Sequence, residues 1–146
     1  MAVLRCEDLM TRDPSCCASK DTALDALKIM KELNVGLLPI CDQDRRLLGV
    51  VTDRDIALSL TDDRKPSECR LGTIMSRDPV TVRPDEEALN CARRMEDHQL
   101  RRIPVVDEEN RVMGIISIAD IARQANRRDE LESELPSIIE AVSEPS

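Results

Sequence analysis

Two short stretches carry residue types that can do chemistry. Residues 49–57 read GVVTDRDIA, and residues 114–122 read GIISIADIA. Each sets a hydroxyl, Thr52 or Ser117, three positions ahead of a carboxylate, Asp55 or Asp120. An ionised carboxylate accepts two neighbouring hydroxyls at once, which suits a sugar diol, and the hydroxyl one helical turn earlier can bond the sugar or a phosphate. The helix that begins there points its first N–H groups and its positive dipole end into the same space, which favours an anion. The same spacing is also a helix N-cap, worth about 1 kcal/mol without any ligand. Spacing alone leaves both roles open, and they are compatible.

The elements that position these residues come in duplicate. Residues 9–58 overlie residues 74–123 without a gap, at a constant offset of 65, with 14 of 50 pairs identical. The anchors include Arg12-Asp13-Pro14 with Arg77-Asp78-Pro79, Met30 with Met95, Pro39 with Pro104, and Gly49 with Gly114. Such a register marks an internal duplication. After the Asp-Pro turn, each copy reads as a short extended piece (Val80–Val82 in the second) and a helix start at Ser19-Lys20-Asp21 or Pro84-Asp85. Leu24, Leu27, Met30 and Leu33 then recur at three-residue steps, predicting one apolar helix face. Strands are expected over Leu37–Cys41 and Leu47–Thr52, and over Arg102–Val106 and Val112–Ser117, each followed by a last helix. The fold class is therefore α/β, in the α+β sense, with β-α-β-β-α written twice. One such unit leaves its sheet half covered, so the two are expected to stack as a pseudo-twofold pair. The expected divisions are 1–65 for the first repeat with the start of a linker, 66–125 for the second, and 126–146 for an acidic tail. In that tail Leu131, Leu135, Ile138, Ile139 and Val142 predict helical segments broken near Pro136.

Composition narrows the function. The net charge is −8, of which residues 124–146 carry −4, and the chain has no Phe, Tyr or Trp. Such a surface repels nucleic acid and offers no ring for base stacking, so no nucleic-acid partner is expected. Apolar runs fall far short of the roughly 20 residues that span a bilayer and the start lacks a secretory core, so no membrane partner and a cytoplasmic location are expected. Six cysteines (6, 16, 17, 41, 69 and 91) form no CxxC pair, and most of them read as small apolar residues. A second reading is a metal- or thiol-sensing protein that uses Cys41, His98 and Cys16/Cys17. The chain has no Ser-His or Cys-His spacing and no GxxxxGK[ST] loop, so no enzyme is expected.

The doubled unit resembles a cystathionine β-synthase (CBS) domain pair, or Bateman module, over residues 1 to about 125. The resemblance rests on Asp8-Leu9-Met10-Thr11-Arg12-Asp13-Pro14, Gly72 to Pro79, Leu37-Leu38-Pro39-Ile40, Ile103-Pro104-Val105-Val106-Asp107, and the G-h-h-[T/S]-x-x-D signature at Gly49–Asp55 and Gly114–Asp120. It implies a regulatory fold that binds an adenine nucleotide (AMP, ADP or ATP), S-adenosylmethionine or an NAD derivative in clefts between the repeats, with no metal required. It further implies a homodimer that signals through dimer geometry or an unknown protein partner, and likeness to stand-alone bacterial CBS pairs of stress or hypoxic responses. Carried onto this chain, the ribose falls to Asp55 and Asp120 with Thr52 and Ser117. The adenine falls between Leu38 and Pro39 or Ile103 and Pro104, beside Thr81-Val82-Arg83, and the phosphates to Arg54, Arg101 and Arg102. Where the second copy has Val80-Thr81-Val82-Arg83 the first has Ser15-Cys16-Cys17-Ala18, so the first wall is expected to be less regular.

Overall fold

A computed structural model of the chain describes residues 3–125, 138, 139, 141 and 142. In chain order the elements are α1 (Cys6–Leu9), β1 (Thr11–Arg12), α2 (Ala23–Leu33), β2 (Leu37–Cys41), β3 (Leu47–Thr52), α3 (Asp53–Ser59), α4 (Leu71–Ile74), β4 (Ser76–Arg77), α5 (Ala88–His98), β5 (Arg102–Val106), β6 (Val112–Ser117) and α6 (Ile118–Ala125). All four expected long strands form at their expected bounds. The mixed helix-and-sheet architecture is the expected α+β class.

Duplication reaches the backbone conformation. Non-glycine residues adopt the left-handed region in matched pairs: Asp13 and Asp78 (φ 49 and 50), Asn34 and Gln99 (φ 56 and 54), Arg45 and Asn110 (φ 64 and 64). An L residue pays about 1 kcal/mol or more for this conformation. Its recurrence at helix ends (Asn34, Gln99) and hairpin turns (Arg45, Asn110) shows that the turn geometry, not the residue type, dictates it.

The strands form two antiparallel three-stranded sheets, ordered β2-β3-β4 and β1-β6-β5. Thus the leading strand of each copy pairs on the sheet of the other: Gly49 faces Arg77, and Gly114 faces Arg12. The same exchange recurs at the helices. The Ala23 and Ala88 N–H groups donate to the carbonyls of Cys69 (2.8 Å) and Leu4 (2.9 Å), and the Leu71 and Cys6 N–H groups donate to Asp21 (2.8 Å) and Glu86 (2.9 Å). Accordingly one compact unit comprises residues 1–13, 80–108 and 113–146, and the other 14–79 and 109–112. The expected partition near residue 65 follows the chain; packing exchanges the head segments.

Each unit has its own core. The first gathers Leu4, Cys6, Val82, Ala92, Met95, Ile103, Ile116 and Ile121, with Ile138 and Val142 of the tail; the second gathers Cys17, Ala23, Ala26, Leu38, Ile40, Val51, Ile56 and Leu71. Tail residues Leu131, Leu135 and Pro136 lie outside the described residues.

Two expectations need correction. The helices begin at Ala23 and Ala88, not at Ser19–Asp21 and Pro84–Asp85, because Asp21 and Glu86 close tight turns first, accepting the N–H groups of Ala18 (2.8 Å) and Arg83 (2.6 Å). Of the expected α2 face, Met30 is buried and Leu27 packs against the core, but Ala23 and Ala26 complete the buried face, whereas Leu33 is 48% exposed. Small side chains let this helix lie close on its sheet, a criterion that a leucine-spacing argument does not register.

Candidate ligand site

The glycine that opens each signature is a packing residue. A Cβ on Gly49 would stand 2.6 Å from the Ser76 carbonyl, and one on Gly114 would stand 2.7 Å from the Thr11 carbonyl and 2.8 Å from Met10 Sδ. Neither glycine has a positive φ. Closeness of the exchanged strand, not backbone freedom, explains both.

Next come the hydroxyl and the acid. Thr52 caps α3: its Oγ1 accepts the Asp55 N–H at 3.0 Å, and Asp55 Oδ2 accepts the Thr52 N–H at 3.0 Å. Ser117 and Asp120 repeat the arrangement ahead of α6, at 3.1 and 3.0 Å. Both pairs are half-buried. The cap takes one carboxylate oxygen, Oδ2, in each case. Asp120 Oδ1 additionally receives Arg123. A third T-x-x-D, Thr22 with Asp25, caps α2 with the same pair of bonds, and there the Thr22 N–H and hydroxyl hold the exposed Asp25 carboxyl below its ordinary range. At the matching place before α5, Glu87 makes no side-chain cap. Among the described residues, reciprocal capping is therefore kept in both copies only at the signature.

The expected anion pocket at the start of α3 is corrected. The Asp53 N–H donates to the Gly36 carbonyl (3.1 Å), the Arg54 N–H to Asp53 Oδ1 (2.8 Å), and the Asp55 N–H to Thr52, so the first three donors are engaged. In α6 the Ile118 N–H donates to the Arg101 carbonyl at 2.8 Å. These bonds have a second effect: they tie the residue ahead of β2 or β5 to the helix start. Together with the pairing of Leu37 with Thr52, they bring Leu38 and Pro39 to the end of the sheet that carries Thr52 and Asp55.

The walls assemble within each unit. The Val82 N–H donates to the Pro104 carbonyl (3.1 Å) and the Val106 N–H to the Val82 carbonyl (2.9 Å), setting Thr81–Arg83 alongside Ile103 and Pro104. Cys17 does the same with Pro39 (3.0 Å) and Cys41 (2.9 Å). Each proline carbonyl faces this short partner, not the neighbouring long strand, so the absent proline N–H costs no bond in the β2–β3 ladder. The first copy's wall has the same backbone pairing as the second, despite its different residues. Leu38, Pro39, Ile103 and Pro104 are buried. Arg94 was not singled out from the sequence, yet it braces the second wall, donating to the Thr81 carbonyl at 2.7 Å and to Glu86 at 3.0 Å.

The three arginine candidates differ. Arg54 is exposed on α3, Arg102 is half-buried at the start of β5, and Arg101 donates from Nε to the Val142 carbonyl at 3.1 Å, fastening the tail. For the sensor reading, Cys41 belongs to one unit and His98 to the other, and among the described residues no three His, Cys, Asp or Glu side chains gather as a metal site. Nor, among them, is any helix long and apolar enough to cross a membrane. The cysteines do carry a signal. Hydrogen bonding from Cys41 lowers the Cys16 thiol to about 7, with Arg45 adding to the shift, whereas burial pushes Cys17 up to about 11.

A duplicated strand-helix frame with exchanged head segments and capped G-h-h-[T/S]-x-x-D ends defines a class, and comparison with known proteins agrees. The chain belongs to the CBS domain family, which matches residues 6–62 and 71–127. Hypoxic response protein 1 of Mycobacterium tuberculosis is 36% identical over 117 residues, covering 80% of this chain and 81% of that protein. Its crystal structure, with two coordinated zinc ions, superposes with a TM-score of 0.75 at 35% identity, covering 82% of this chain and 97% of that one. A CBS domain pair solved with 5′-methylthioadenosine and S-adenosyl-L-methionine gives a TM-score of 0.77 at 29% identity, covering 86% and 98%. CBSX2 of Arabidopsis thaliana, solved with AMP, gives 0.76 at 25% identity, covering 85% and 97%.

Proposed function

We propose that this protein is a regulatory module, not an enzyme, that binds an adenosyl ligand of the AMP, ADP, ATP or S-adenosylmethionine class, as a cytoplasmic homodimer. The observation that carries the reading is the reciprocal cap at Thr52–Asp55 and Ser117–Asp120. It is kept in both copies, beside a buried Leu-Pro or Ile-Pro wall, while the equivalent cap at α2 is lost at α5. A cap orients a half-buried carboxylate through one oxygen and so holds the group that would grip a ribose diol. Leu38 and Pro39, or Ile103 and Pro104 with Thr81 and Arg83, would enclose the adenine. Arg54, Arg101 and Arg102 would meet the phosphates. The adenosyl ligands named for two solved CBS pairs support the same ligand class. Occupancy would favour one arrangement of the dimer or of a bound partner protein, and the differential affinity sets how far the population moves.

The test is calorimetric titration of the full chain with AMP, ATP and S-adenosylmethionine, repeated on Asp55→Asn and Asp120→Asn. An amide oxygen can still accept the cap N–H, so the fold should survive, while loss of the charge on a diol should weaken binding by about tenfold or more. Unchanged affinity in both variants would overturn the ribose role.

A further inference from the structure

Among the six cysteines, two pairs of thiols lie near enough to shift each other's titration: Cys16 with Cys41, and Cys6 with Cys91. The pairs differ in access. Cys6 and Cys91 are both wholly buried, while Cys16 is half-exposed beside a buried Cys41. The backbone fixes the first pair. Cys17 bridges Ile40 in parallel, its N–H on the Pro39 carbonyl (3.0 Å) and its carbonyl on the Cys41 N–H (2.9 Å), and both Cys17 and Ile40 face the core. Side chains alternate along an extended chain, so Cys16, one step before Cys17, and Cys41, one step after Ile40, lie on the opposite face as diagonal neighbours across the parallel bridge. Arg45 donates to the Pro14 carbonyl at 3.3 Å, and the Cys16 thiol donates to that same carbonyl at 3.6 Å, so a guanidinium stands at the thiol.

We propose that Cys16 and Cys41 are a reversible redox pair, closed to a disulfide by a peroxide and reopened by a dithiol. A neighbouring cation and an accessible thiolate are what a reactive cysteine needs, and a second thiol on the same face resolves it. The Cys16 thiolate attacks one peroxide oxygen; the S–O bond forms, the O–O bond breaks, and the departing hydroxide takes a proton to leave as water. Cys41 sulfur then attacks the Cys16 sulfenic acid; the S–S bond forms, the S–O bond breaks, and the Cys41 proton leaves with the oxygen as a second water. The two sulfurs together lose two electrons, and the peroxide gains them. A dithiol returns both by exchange.

Nothing in the fold demands thiols here, because the matching positions of the second copy are Thr81 and Val106. The closed bond would staple the first wall segment to the end of β2 and leave the second wall unaltered. This holds whether or not the protein takes an adenosyl ligand.

The experiment treats the reduced full chain, freed of metal with a chelator, with equimolar hydrogen peroxide, and follows intact mass and peptide maps. The expected result is loss of two hydrogen atoms, one Cys16–Cys41 cross-linked peptide, and full reversal by dithiothreitol, with Cys6 and Cys91 still alkylatable after unfolding. Cys41→Ser should stop at a sulfenic acid on Cys16 that dimedone traps, and Cys16→Ser should slow the loss of the Cys41 thiol at least tenfold; circular dichroism confirms that each variant is folded. An unchanged mass, a Cys16–Cys17 or intermolecular bond, or preferential Cys6–Cys91 closure would overturn the proposal. So would equimolar zinc retained on Cys16 and Cys41 that blocks peroxide under the same conditions without the chelator.

Discussion

The Thr52 hydroxyl accepts the Asp55 N–H while the Asp55 carboxylate accepts the Thr52 N–H, both at 3.0 Å. This reciprocal pair starts α3, and the same pair on Ser117 and Asp120 precedes α6, so each signature is a folding device before it meets any ligand. Thr52→Ala and Ser117→Ala should each cost about 1 kcal/mol. Urea denaturation reads this as a lower midpoint at constant slope; an unshifted midpoint would mean that the caps contribute nothing to the fold.

Gly49→Ala and Gly114→Ala should each destabilise by about 1–3 kcal/mol, since the added methyl meets the Ser76 or Thr11 carbonyl at 2.6 or 2.7 Å and the exchanged strand must retreat. Gly36→Ala is the comparison, because its nearest obstacle is the Asp53 carboxylate at 3.2 Å, an exposed side chain that can swing away. Thermal unfolding of the three variants should rank them accordingly, and equal losses would contradict the packing account.

Gln99 ends α5 at φ 54, a conformation that glycine adopts without penalty. Gln99→Gly should therefore stabilise the protein by up to about 1 kcal/mol, offset in part by the loss of its side-chain bond to Glu96. A lower denaturation midpoint would show that the side-chain bond outweighs the backbone gain.

The Cys16 thiol, held near 7 by Cys41 and Arg45 against an ordinary 9, should alkylate with a pH midpoint near 7. Between those values the folded chain binds fewer protons than the unfolded one, so stability should rise with pH across that window. Cys41→Ala removes the largest cause and should move the iodoacetamide midpoint upward. A wild-type midpoint near 9 would contradict the influence of Cys41 and Arg45 on this thiol.

How much of this was legible in the sequence depends on range. Leu37–Cys41 and Arg102–Val106 could be read because a strand's alternation and its flanking turns are local signals. The exchange that places Arg12 beside Gly114 joins residues far apart in the chain and leaves no local trace beyond the glycine itself. Ala23 and Ala26 escaped the apolar-face reading because close helix packing selects small side chains, which count little in a hydrophobic stripe. The Cys16–Cys41 pairing was equally hidden: the two residues lie 25 positions apart in the chain, and only the Cys17–Ile40 bridge brings them to one face. For the candidate site, residue types and spacing named the wall and cap positions. They did not reveal that the N–H groups at the start of α3 are already engaged.

The most direct measurement of the central claim uses the absence of Phe, Tyr and Trp, which leaves the protein nearly transparent where adenine absorbs. In equilibrium dialysis against AMP or S-adenosylmethionine, the chamber with the full chain should gain an excess adenine band that saturates, falls in Asp55→Asn and Asp120→Asn, and disappears on denaturation. Equal absorbance in both chambers at every concentration, with protein that is folded and free of prior occupant, would contradict it.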